Sequence, residues 1–179
     1  MNDLSPARLW LMRSSFLFLT LVILFFHLLP LETTPRRWAG PDLLLCFALA
    51  WSMRRPEYVP APILAVAFLL ADFMLQRPPG LWALLALLAC ENLKSRARGL
   101  RDANFVAEWM TVGLILIAVT FAYRIGLGLA LLDLPPLALS LTELGMTIVA
   151  FPLVVAVTHY IMGVRKAAAG ELDALGNRV

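Results

Sequence analysis

Apolar residues fall into six continuous blocks, roughly 9–29, 43–53, 62–75, 81–93, 106–132 and 141–162, with polar and proline-rich segments between them. Strands of a membrane barrel would alternate every second residue, and these blocks do not. Continuous apolar runs of this kind predict helices, each satisfying its own backbone. Pro30, Pro35, Gly40-Pro41-Asp42, Pro56, Pro60, Pro62, Pro78-Pro79-Gly80 and Pro135-Pro136 punctuate the boundaries. Asp42 reads as the N-cap of the second helix. Pro152 falls inside the sixth block, where it is expected to kink the helix.

Crossing a bilayer core takes about 20 residues, which the first, fifth and sixth blocks supply. The second to fourth are shorter, so each must borrow flanking residues, be broken, or be shielded from lipid by the longer helices. The expected architecture is an all-α integral membrane protein: a six-helix bundle with short or broken central helices over residues 1–164, then a short cytoplasmic tail, 165–179. No small-x-small cleavage pattern follows the first block, which reads as a retained span rather than a signal peptide. No repeat of fixed period is visible.

Composition fixes the solvent. Of 179 residues, 61% are hydrophobic and 15% charged, with mean hydropathy +0.81, well beyond a soluble domain. The formal charge of +3 carries no nucleic-acid meaning, because the bases gather at block ends, where membrane topology accounts for them. One side collects Arg8, Arg13, Arg54, Arg55, Lys94, Arg96, Arg98, Arg101, Arg165, Lys166 and Arg178; the other has Arg36, Arg37 and Arg77. That asymmetry predicts six spans in a cytoplasmic membrane with both termini in the cytoplasm. Trp10, Trp38, Trp51, Trp82 and Trp109 lie at or near block ends, as residues at headgroup depth do. Cys46 and Cys90 lack a CxxC or a His at ligand spacing and read as small hydrophobes.

Ionisable groups inside the membrane are costly, so each is a candidate for function. Arg124 lies within the fifth block, and Asp72 and Glu143 share its depth under this topology. One of the two carboxylates is expected to pair with Arg124, either as an ion pair that fixes helix neighbours or as part of a ligand or proton site. Toward the cytoplasm, Glu91 and His159 stand at similar depth, with Glu108 near the start of the fifth block; a packed hydrogen bond is expected there. Lys94, Arg96, Arg98 and Arg101 form a basic loop suited to anionic lipid headgroups or to a cytoplasmic protein. Gly113, Ala118, Ala122 and Gly126 place small residues along the fifth helix, where a partner helix or an internal neighbour could approach closely. No Walker A loop, GxSxG, HExxH, GxGxxG or DxD-like pair is present. No enzymatic signature, metal site or cofactor is expected.

The segments RWAGPDLLLCFALAWSMRRPEYVP, AVAFLLADFMLQRPPGLWALLALLACE, LRDANFVAEW, AYR and GELDALGNRV resemble the rod shape-determining membrane protein MreD, in its shorter, Pro-rich alphaproteobacterial form. The similarity covers nearly the whole chain and is carried by hydrophobic pattern with scattered Pro, Arg, Asp and Trp, including an Arg-Arg-Pro and an Arg-Pro-Pro-Gly loop. It implies a non-enzymatic subunit of the bacterial cell-elongation machinery, held in the inner membrane beside MreC and coupled to MreB, RodA and a class B penicillin-binding protein. The fold it implies is similar to the six-helix substrate-binding components of energy-coupling-factor vitamin transporters. On that analogy an outer cavity near Asp72, Arg124 and Glu143 is expected, and a small-molecule binding or transport component is the alternative function.

Overall fold

A computed structural model describes residues 6–29, 39–97, 99 and 104–164. Among these the chain forms α1 (Pro6–Leu28), α2 (Leu43–Arg54), a 3-10 turn (Pro56–Tyr58), α3 (Ala61–Met74), α4 (Leu81–Arg96), α5 (Phe105–Leu129) and α6 (Leu137–Tyr160), with no strand. The six helices match the six apolar blocks to within a few residues. The tail, together with Arg36, Arg37, Trp38, Arg98 and Arg101, lies outside the described residues.

Helix ends follow from local chemistry. Asp42 caps α2 as expected, its carboxylate accepting from Leu45 N–H at 2.9 Å. Asn104 does the same for α5 through Ala107 N–H at 3.1 Å. At the other end α3 and α5 stop in the same way. In α3, Gln76 takes a left-handed φ of 53° while its N–H donates to Phe73 O and that of Arg77 to Asp72 O. In α5, Leu131 takes φ 56°, and Leu131 and Leu132 donate to Gly128 O and Leu127 O. Both are Schellman closures with an ordinary residue where glycine is preferred. The closure at Leu131 ends α5 at Leu129 rather than at 132, and the one at Gln76 fixes the start of the loop that carries Arg77.

At 12 residues, α2 is about 18 Å long, short of a bilayer core of about 30 Å. It survives by being shielded: every residue from Leu44 to Arg54 is buried, against α6, α4, the 3-10 turn and α1. A helix apolar on all sides belongs in such a place. Trp51 sits at its centre, 5.5 Å from the Phe16 ring and 6.2 Å from Tyr58. Trp51 and Trp82 are therefore core residues, not headgroup anchors, whereas Trp10 is 67% exposed. Cys46 and Cys90 are buried and unpaired, packed like hydrophobes.

The long helices α1, α5 and α6 are each apolar enough to cross a membrane. They turn Phe18, Leu21, Phe25, Leu114, Ile125, Val149 and Leu153 outward. Such a continuous apolar exterior suits lipid and not water. Among the described residues the chain is all-helical, with three helices long and apolar enough to cross a membrane. Pro152 lies inside α6 and removes the N–H that would reach Ile148 O. Trp109 replaces it, its indole N–H donating to Ile148 O at 2.9 Å, so one aromatic residue of α5 repairs the gap in α6.

Candidate functional site

Three elements converge beside the start of α2: the Asp42 cap, the Arg77 loop after α3, and the first half of α6. Thr147 locks α6 there, its hydroxyl donating to Glu143 O at 2.6 Å and accepting from Asp42 N–H at 2.9 Å. Arg77 reaches between two carboxylates, 3.7 Å from Asp42 Oδ2 and 3.8 Å from Glu143 Oε1. Its guanidinium also lies 5.0 Å above the Trp82 ring, a cation–π contact that keeps it in this pose. Trp82 in turn meets Tyr123 edge-on at 4.9 Å, and Gly126 lets α5 close on Leu81.

Arg124 has other partners than those expected. Its Nη1 donates to Pro135 O at 2.9 Å and to Ser140 Oγ at 2.8 Å, so it ties the end of α5 to the loop and first turn of α6. Neither Asp72 nor Glu143 pairs with it. Shared depth did not resolve direction around the bundle, and Arg77, which sequence placed in an outer loop, folds back to take Glu143.

Asp72 is fully buried and serves backbone instead of a cation. Its Oδ2 accepts from Gly80 N–H at 2.8 Å and Ala83 N–H at 3.2 Å, capping α4 from another helix, where the N-terminal dipole favours an anion. Gly80, the N-cap of α4, has φ 89°, a conformation that glycine adopts without strain.

Between these groups lies a partly open cavity of about 230 Å³, lined by Asp42, Arg77, Arg124 and Glu143 with Trp82, Tyr123, Ser140, Thr147 and several leucines. An outer cavity was expected near Asp72, Arg124 and Glu143; the structure brings Arg124 and Glu143 to it and leaves Asp72 outside its lining.

The other candidates separate. Glu91 and His159 are not hydrogen-bonded: Glu91 binds Lys94 at 2.6 Å, and His159 stacks edge-on with Tyr160 at 4.9 Å. Lys94 and Arg96 are the last turn of α4 and not a free loop, and Lys94 also donates to Val59 O at 2.6 Å. The buried partner of Glu108 is Arg54, at 3.3 Å with 1% and 9% exposure. Sequence counted Arg54 only as a topology charge; a carboxylate at the first turn of α5 was the available signal. Arg13 joins the same end by donating to Glu57 O, and Arg55 pairs with Glu57 at 3.4 Å. Of the bases assigned to one side, Arg13, Arg54, Arg55 and Lys94 gather around the 3-10 turn. The small-residue row divides: Gly126 packs inside against Leu81 whereas Gly113 faces open space, Ala118 is exposed and Ala122 half-buried.

Among the described residues no three His, Cys, Asp or Glu side chains gather as metal ligands. Fold and site define a helical membrane protein with a polar cavity. No family model matches the chain, and neither a curated protein nor a solved structure shows significant similarity to it.

Proposed function

We propose that the protein is a non-enzymatic MreD-type subunit of the cell-elongation complex in the bacterial inner membrane. In this role it is a scaffold that receives the transmembrane helix of MreC and, through it, couples to MreB, RodA and a class B penicillin-binding protein. Both termini face the cytoplasm. The observation that carries the reading is the sequence resemblance at the Arg-Arg-Pro and Arg-Pro-Pro-Gly loops. Those residues have defined work in this fold: Arg54 neutralises Glu108, and Arg77 and Gly80 organise the start of α4. The outward face of α5, with Gly113 open and Leu114 and Ala118 exposed, is the lipid-facing strip that suits close approach by a partner helix.

Affinity purification of a tagged copy from membranes at native expression tests the reading. Recovery of a single-span MreC-like protein with wild type, and its loss with Gly113→Trp or Ala118→Trp at unchanged folding, is the expected result. A clean preparation without such a protein rejects it. The second reading, a small-molecule binding component, is favoured by one observation, the cavity between Arg77, Arg124 and Glu143.

A further inference from the structure

The charges around the cavity are separated, and their partners show how. Asp42 and Glu143 share a single cation, Arg77, at 3.7 and 3.8 Å, so that part of the wall carries two carboxylates against one guanidinium. The Glu143 carboxylate accepts no hydrogen bond among the described residues and keeps its acceptor capacity. Arg124, also in the cavity lining, spends Nη1 on two neutral acceptors, Pro135 O and Ser140 Oγ. Its Nε and Nη2 donors bind nothing among the described residues, and no carboxylate lies within ion-pair distance of it there. The lining thus holds carboxylates short of a cation and a guanidinium short of an anion.

Ser140, which holds Arg124, and Glu143 are three residues apart on α6, so the backbone positions that present the two groups lie about one helical turn apart, roughly 5 Å along the axis. An anionic group and an ammonium joined by a short carbon linker can span such a spacing. The cavity, about 230 Å³, is smaller than the roughly 300–1,000 Å³ that holds drug-sized ligands and suits a group of headgroup size. The Trp82 face is taken by Arg77, but Tyr123 adds an aromatic ring to the same lining, a favourable setting for an ammonium. The fork of free N–H groups on Arg124 matches a phosphate or carboxylate.

The geometry points to a binding site for a small zwitterion, its anionic group held by Arg124 and its ammonium by Glu143 and Asp42. This deepens the binding-component reading of the cavity and does not depend on the elongation-complex one. The zwitterion arrives either on a lipid, as an ethanolamine phosphate headgroup, or as a free molecule of the same chemistry.

The test uses the full chain purified in detergent, with binding read by calorimetry and by thermal shift. The probes are free phosphoethanolamine, short-chain phosphatidylethanolamine, short-chain phosphatidylglycerol and ethanolamine. Saturable binding of either ethanolamine-phosphate probe, weakened roughly tenfold or more by Arg124→Gln and separately by Glu143→Gln, is the expected result. Binding of the free compound identifies a soluble ligand; binding of the lipid alone identifies a headgroup. Glu143 is partly exposed, so Glu143→Gln gives a readable result even where Arg124→Gln does not fold. Equal binding of phosphatidylglycerol or of ethanolamine overturns the zwitterion while leaving a binding cavity. Absence of binding by all four probes overturns both, as does binding that the two substitutions leave unchanged.

Discussion

Replacing Asp72 with alanine removes the side chain that accepts from the first N–H groups of α4. Two backbone donors lose their partner: Gly80 N–H, half-exposed, and Ala83 N–H, on a residue 4% exposed. A buried donor left unpaired costs about 1–3 kcal/mol. Water partly restores Gly80, so the sum for Asp72→Ala is about 2–4 kcal/mol. Asp72→Asn keeps an acceptor oxygen and loses the charge facing the helix dipole, worth about 1 kcal/mol or less, while its amide nitrogen takes the place of Oδ1, which is already buried without a partner. In a domain of this size about 1 kcal/mol moves Tm by roughly 2–4 °C, giving a fall of about 4–16 °C for alanine and about 4 °C or less for asparagine. Cys46 and Cys90 are buried and free, so a thiol-reactive dye reads unfolding directly in detergent. Alanine and asparagine variants of equal stability would refute the argument, because they would show that an acceptor oxygen at this position does not hold the helix.

Trp109→Phe is expected to cost about 1–2 kcal/mol by orphaning Ile148 O; the cost shrinks in a Pro152→Ala background, where residue 152 regains the N–H that makes this bond, and an additive double-mutant cycle counts against the pairing. Gln76→Gly and Leu131→Gly each relieve a left-handed residue and are expected to raise stability by up to about 1 kcal/mol; lowered Tm for both contradicts the Schellman assignment. A Cβ at Gly126 would stand 2.9 Å from Leu81 Cδ1 while one at Gly113 meets nothing within 4 Å. Gly126→Val should therefore destabilise by about 1–3 kcal/mol more than Gly113→Val, and the opposite order, measured by the same dye, would reverse their assignment to inner and outer faces.

Hydrophobic patterning determined the class, the number of helices among the described residues and most of their ends, because backbone in lipid must pair within its own segment and proline and capping residues stop it locally. Asp42 was readable as a cap because its acceptor and donor lie three residues apart. The grouping of Arg13, Arg54, Arg55 and Lys94 at one end was readable too, since charge at the ends of apolar runs is sorted by the membrane surface. Which charge meets which was not. Depth along a helix follows from residue number, but the direction around its axis and the neighbour it faces depend on packing of all six helices. That is why Arg124 was assigned a carboxylate and found Pro135 and Ser140, while Arg77, turned inward by the closure after α3, took Asp42 and Glu143. Asp72 capping α4 from α3, and Trp109 repairing the carbonyl freed by Pro152, are likewise contacts between helices. Only the tertiary structure could decide them, because a long-range hydrogen bond leaves no periodicity in either of the segments it joins.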